Sequence, residues 1–222
     1  MLQFFAKYKF FAIVLLVLSA IIITVMYQAL KPEASLKIMA PVEFDESLVD
    51  PSVQFVKKYH TIPDFELINQ NGDTITAADY DDHIYVADFF FTTCVTICPI
   101  MTNHMVQIQQ ELQNDPVVKL LSHSVTPEID SVAQLKRYAV KKGVNDSVWN
   151  LVTGPRKQIY DLARKAYLVV KEDPDVEQYG MIHTENFVLI DKQKRIRGTY
   201  DGTDPEDIKR LLKEIAILKL EQ

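Results

Sequence analysis

The sequence predicts an α/β domain, a mixed central sheet flanked by helices on both faces, with an N-terminal β-hairpin and a single transmembrane helix ahead of it. Three observations carry that prediction. Strand-like and helix-like segments alternate from about residue 84 to residue 166, and such alternation builds a sheet covered by helices. Paired strand-like segments stand on either side of that run, each pair joined by a short polar turn that reads as a hairpin. Residues 10–27, FFAIVLLVLSAIIITVMY, carry no charge, over a length close to the roughly 20 residues that cross a hydrocarbon core of about 30 Å.

Lys7 and Lys9 precede the apolar run, so the excess of positive charge keeps residues 1–9 in the cytoplasm and sends the rest of the chain outward. Residues 10–30 are then the anchor. A cleaved signal peptide is the competing reading, with the small residues Ser19 and Ala20 as its site, but the run is long for such a peptide and those residues are embedded in apolar sequence. No Arg- and Ser-rich leader is present. The expected location is a bacterial cytoplasmic (inner) membrane, single-pass, with the domain on the outer, periplasmic side where disulfides persist. Residues 31–55 contain Pro32, Pro41 and Pro51 without a sustained period and read as a tether. The folded domain is expected over 56–222.

Within it, Phe65–Ile68 and Asp73–Thr76 form the first hairpin, and Asn71-Gly72 supplies the positive φ of its turn. Residues Ile84 to Phe91, IYVADFFF, read as a central strand covered on both faces. A helix follows from Pro99 to Leu112, its proline in the first turn, where a missing N–H costs little. Val117–Val125 is a strand. Asp130 is expected to cap a helix that runs to about Lys142 and stops at Gly143. Trp149–Val152 is a short strand, Pro155–Ala166 a helix, and Leu168–Val170 a short strand ahead of an acidic loop, Lys171–Gln178. Thr184–Ile190 and Arg195–Thr199 make the last hairpin. Asp204 caps the final helix, with Pro205 at its first position, running to about Leu220.

Cys94 and Cys98, the two cysteines of the chain, lie in Phe91-Thr92-Thr93-Cys94-Val95-Thr96-Ile97-Cys98-Pro99, between the central strand and its helix. A βαβ unit with a cysteine pair at its first helix points to the thioredoxin-like fold. A helix N-terminus offers unpaired N–H groups and partial positive charge, both of which favour thiolate over thiol. Thiolates exchange disulfides and also hold soft metal ions. Three intervening residues, one more than thioredoxin-like oxidoreductases use, widen the loop without forbidding a disulfide. Two sulfurs underfill a metal site, so a third ligand is sought among the histidines. His60 and His83 read as surface residues, His104 points away from Cys98, and His123 ends a strand. His183 precedes the strand Thr184–Ile190, at the junction that faces a cysteine loop in this fold. Position alone leaves it either a polar loop residue or the third ligand. Met101 and Met105 share the helical face of Cys98 and read as core. A net charge of −6 argues against nucleic acid as a partner.

The sequence resembles the Sco/SenC family of membrane-anchored copper chaperones that help assemble cytochrome c oxidase. The resemblance rests on Phe91 to Pro99, on Ser124-Val125-Thr126-Pro127-Glu128-Ile129-Asp130, on Trp149-Asn150-Leu151-Val152-Thr153-Gly154, and on His183 ahead of Phe187-Val188-Leu189-Ile190-Asp191. It covers roughly residues 60–220. The chain departs from the family at Phe90, Thr93 and Thr126, where Gly, His and Asp are frequent. The resemblance implies a Cu(I) or Cu(II) site made by Cys94, Cys98 and His183. It also implies cytochrome c oxidase subunit II or a similar copper acceptor as partner, and a thiol reductant protein. Two rival roles for the same cysteines are a thiol–disulfide oxidoreductase pair, which would reduce the acceptor's cysteines, and a purely structural disulfide. Zinc suits two thiolates and an imidazole as well, although the affinity order favours copper.

Overall fold

The computed structural model describes residues 2–30, 35–45, 48–58, 60–169 and 184–221. The chain forms two compact units, Met1–Ala34 and Ser35–Gln222. The first is a helix, α1 (Leu2–Leu30), whose stretch Tyr8–Met26 is long and apolar enough to cross a membrane.

The second unit contains β1 (Glu66–Asn69), β2 (Thr74–Thr76), β3 (Ile84–Phe90), α2 (Cys98–Leu112), β4 (Val118–Ser124), α3 (Val132–Lys142), β5 (Trp149–Thr153), α4 (Arg156–Asp161), β6 (Asn186–Ile190), β7 (Ile196–Asp201) and α5 (Pro205–Leu218). The strands form one sheet in the order β2-β1-β5-β4-β3-β6-β7. β3, β4 and β5 run parallel, while β1 on β5, β6 on β3 and the two hairpin pairs are antiparallel. This is the mixed sheet expected from the element order. All seven residues of β3 are buried, because the strand has neighbours on both edges and helices over both faces. Alternate side chains go to opposite layers: Tyr85, Ala87 and Phe89 join the core that includes α4 residues Ile159 and Tyr160, while Ile84, Val86 and Phe90 join the core with α2 and α5. The first turn has Gly72 at φ 86°, as its Asn-Gly sequence requires.

Three expectations are corrected. Asp130 does not cap α3; Ser131 does, its hydroxyl accepting from the Gln134 amide at 3.3 Å. The Asp130 side chain turns inward to other partners. Leu168 and Val169 form no strand. α4 continues as a π-helical turn, Leu162–Ala166. The Tyr167 and Val169 amides then donate back to the Leu162 and Ala163 carbonyls, with Leu168 at φ 57°. The apolar character of this stretch reflects burial of Tyr167, Leu168 and Val169, not pairing in the sheet. Val170 and the acidic loop Lys171–Gln178 lie outside the described residues. The stretch read as a tether is folded for much of its length. Met39 donates to the Ile196 carbonyl at 2.9 Å, Pro41–Glu43 form a 3-10 turn, and Ala40 and Val49 are buried.

The strap is clasped by Arg197, itself buried. Its guanidinium donates to Asp191 at 3.0 Å, to the Leu36 carbonyl at 2.6 Å, to the Lys37 carbonyl at 3.3 Å, and to Glu221. One cation therefore ties the first and last residues of the domain to the end of β6.

α3 ends as expected at Gly143, φ 72°, whose amide reaches back to the Ala139 and Val140 carbonyls. A Cβ there would meet nothing within 4 Å, so Gly143→Ala tests the left-handed backbone alone. It is expected to lower stability by about 1 kcal/mol, read from urea denaturation midpoints.

Candidate metal centre

β3 delivers the chain to a loop, residues 91–97, that returns into the first turn of α2. The Cys94 amide donates to the Phe91 carbonyl at 3.3 Å, closing the loop's first turn. Cys94 is partly exposed; Cys98, the first residue of α2, is 3% exposed. Both are free thiols. The Cys94 Sγ lies 3.5 Å from the Thr96 hydroxyl.

The two sulfurs have opposite electrostatics. Burial pushes the Cys94 thiol up. Hydrogen bonds from the Thr96 hydroxyl, the Cys98 and Thr96 backbone and the Cys98 thiol outweigh it and bring the pKa down to about 7. The Cys98 amide among these donors is an unpaired N–H at the start of α2. Burial dominates at Cys98 and pushes it up to about 12; the Phe91 backbone opposes this, while Cys94 and Asp88 reinforce it. The pair is thus one ionisable, reachable sulfur beside one sheltered thiol.

Behind Cys98 stands a polar wall. Asp88, in the middle of β3, is 2% exposed. Burial pushes its carboxyl up to about 7, against a hydrogen bond from Ser122 that favours the charged form. The Trp149 indole donates to the Ser122 hydroxyl at 2.8 Å. Thr102 donates to the Cys98 carbonyl at 2.7 Å, and its hydroxyl also meets that of Tyr138. Met101 and Met105 are fully buried in the core beside Cys98, as expected.

The structure brings Cys94 and Cys98 together and assigns four histidines elsewhere. His60 Nε2 donates to the Ala166 carbonyl and His83 Nδ1 to Asp81. His104 Nδ1 donates to the Gly202 carbonyl at 2.7 Å. His123 is fully buried, stacked on Phe89 with centroids 4.7 Å apart, its Nδ1 donating to the Asp88 carbonyl at 3.2 Å. Burial pushes it down to about 4, against that hydrogen bond. His183 lies outside the described residues. Among those described, no three His, Cys, Asp or Glu side chains cluster as a metal site. The described chain resumes at Thr184, which is buried. β6 pairs with β3 through Ala87 opposite Val188 and Tyr85 opposite Ile190, so β6 begins at the end of β3 that carries the cysteine loop.

Two residues were not singled out by sequence. Asp88 had a readable signal, a carboxylate inside an otherwise apolar strand, which burial makes costly unless it is partnered or neutral. Asp130 reads only as a helix cap, a position that Ser131 in fact fills, and as the last residue of the Ser124–Asp130 stretch.

A family model described as SCO1/SenC matches residues 54–218. The SCO1 protein homolog of Bacillus subtilis (strain 168) is 31% identical over 165 residues, 72% of this chain and 85% of that protein. Among solved structures, BsSco, described as a member of the Sco family of cytochrome c oxidase assembly proteins with a disulfide switch, is 28% identical. It has a TM-score of 0.62 over 73% of this chain and 95% of that chain. Arabidopsis thaliana ScoI, solved with copper bound, is 24% identical with a TM-score of 0.55, over 69% of this chain and 97% of its own.

Proposed function

The chain belongs to the SCO1/SenC family, and on that premise we propose that it is a membrane-anchored copper chaperone whose cargo is held by Cys94, Cys98 and His183. The observation that carries the reading is the pair of unlike sulfurs at the start of α2. Thiolates select Cu(I), and imidazole suits copper as well. Cys94 is the sulfur through which copper enters and leaves, since it is reachable and close to half ionised at neutral pH. Cys98 releases its proton to solvent only when the metal takes its place on the sulfur. The third ligand is His183, one residue before Thr184, in the chain that feeds β6 at the cysteine end of β3. Three ligands leave a position at which an acceptor thiolate attacks, so copper passes on by ligand exchange and no covalent bond to carbon is broken. The acceptor is cytochrome c oxidase subunit II or a protein with a similar copper centre. The apolar stretch Tyr8–Met26 anchors the chain in a bacterial cytoplasmic membrane, and Lys7 and Lys9 place the domain on the periplasmic side.

A second reading is favoured by the lowered pKa of Cys94 beside a resolving thiol, the arrangement of a thiol–disulfide exchanger. In reducing the disulfide of an acceptor's cysteines, the Cys94–Cys98 dithiol passes two electrons and two protons to it, leaving the acceptor as a dithiol and Cys94–Cys98 as a disulfide, with neither sulfur left as a ligand. A thiol reductant protein must restore the dithiol before copper loads again. Copper titration of wild type and His183→Ala, each reduced and oxidised, separates the two roles. Reduced wild type is expected to take up one equivalent and oxidised wild type none. His183→Ala should lose copper to a competing chelator about 10- to 100-fold more readily, with dithiol exchange nearly unchanged. Failure of reduced wild type to take up copper, or equal retention in His183→Ala, defeats the copper reading.

A further inference from the structure

Asp130 is fully buried, and a buried carboxylate is tolerated only where donors saturate it. Its partners come from two places. Thr92, two residues before Cys94, gives both its amide, at 3.1 Å, and its hydroxyl. Ser124, at the end of β4, donates at 2.6 Å, and Thr126 at 3.0 Å. Gln134 of α3 donates to the Thr92 hydroxyl at 3.0 Å, fixing the direction in which that hydroxyl gives its own proton. The carboxylate therefore faces the cysteine loop on one side and its own β4–α3 turn on the other. Within the loop, Cys94 bonds to the neighbouring Phe91 carbonyl and Thr96 hydroxyl, and the Ile97 carbonyl accepts from Ile100 and Met101 of α2.

We infer that Asp130 is the positioning residue of the cysteine loop: through Thr92 it fixes where Cys94 emerges relative to Cys98. It touches neither sulfur and acts through Thr92, which it holds by both the amide and the hydroxyl. The inference builds on the reading of the two cysteines as a working pair. A held loop keeps one thiol at high effective concentration beside the other, which favours any state in which both sulfurs are engaged, whether disulfide or metal-bound.

The test uses the full chain in detergent with Asp130→Asn, Thr92→Val and Thr126→Val. Thr92→Val removes the loop's side-chain donor to Oδ1 and leaves the Thr92 amide on Oδ2; Thr126→Val removes a donor that belongs to the β4–α3 turn. The first readout is the equilibrium with glutathione, in which two protein thiols and one oxidised glutathione give the Cys94–Cys98 disulfide and two reduced glutathiones. Asp130→Asn and Thr92→Val are expected to shift it about tenfold toward the dithiol, equal to about 30 mV, and to lower copper retention about tenfold. Thr126→Val should lower the melting temperature comparably yet move neither readout more than about twofold. If both equilibria follow the loss of melting temperature across all three variants, Asp130 is a structural group only and the inference fails. Thr92→Val decides the matter even if Asp130→Asn does not fold. If wild type binds no copper, the chaperone reading falls while the glutathione equilibrium still decides the role of Asp130.

Discussion

Serine at position 94 or at position 98 is expected to abolish stoichiometric copper uptake, yet the two variants should differ by about 100-fold or more in how fast the remaining thiol reacts. With a pKa near 7, Cys94 is about half thiolate at pH 7, whereas Cys98, near 12, is ionised in about one molecule in 10⁵. A more basic thiolate is intrinsically more nucleophilic, which recovers roughly two of those five powers of ten. Burial of Cys98 then slows it further. In Cys98→Ser, iodoacetamide at pH 7 should label Cys94 rapidly; in Cys94→Ser, Cys98 should stay nearly inert until the domain is unfolded. Mass spectrometry over a time course reads both. Equal labelling rates in the folded variants would show that the helix N-terminus does not distinguish the two sulfurs.

The second large effect lies in two buried ionisable groups on neighbouring strands, paired at Asp88–Ser122 and Phe89–His123. Asp88 binds its proton more tightly folded than unfolded, with a pKa of about 7 against 3.8. Its contribution is intact below about pH 4 and is lost as pH rises through 7. His123 binds its proton less tightly folded, about 4 against 6.5. Its cost is absent above about pH 6.5 and grows as pH falls toward 4. Between pH 4 and 6.5 the two slopes are opposite and nearly cancel. Asp88→Asn should therefore make stability rise across that range by about 3 kcal/mol relative to wild type, and His123→Phe, which keeps the ring stacked on Phe89, should make it fall by about 3 kcal/mol. Guanidinium midpoints at pH 4.0, 5.0 and 6.5 provide the measurement. Parallel slopes in the two variants would refute the assignment.

Much of this architecture was legible because its signals are local. The apolar run of β3 showed that it is central, Asn71-Gly72 marked the first turn, and Gly143 and Asp204 with Pro205 marked helix ends. The cysteine pair was equally visible, since its spacing and its place ahead of Pro99 are properties of one short segment. The failures share a cause: their outcome depends on partners far away in the sequence. Asp130 and Ser131 are both good caps by residue type, and only the donors from Thr92 and Ser124 decide which side chain turns inward. Leu168 and Val169 are apolar enough for a strand, but the carbonyls of the preceding helix take their neighbourhood first. The stretch from Leu36 to Met39 has no period of its own because its bonding partners belong to the β6–β7 hairpin and to the end of the chain. His123 reads as an end-of-strand residue, and its complete enclosure by Phe89, Phe65 and Tyr167 is a tertiary fact.

The Arg197 clasp has a mechanical consequence. Arg197 grips the Leu36 and Lys37 carbonyls beside Asp191, and Asp191 follows the end of β6 that pairs with the start of β3. The cysteine loop leaves the opposite end, the length of a seven-residue strand away, about 23 Å at 3.3 Å per residue. Traction applied through Ser35 is thus absorbed at the Ile84 pole, shared between the β6–β7 hairpin and the tail of α5. The Cys94 pole lies at the far end of β3 from that load, so the geometry of the two cysteines is insulated from pulling on the chain ahead of Ser35.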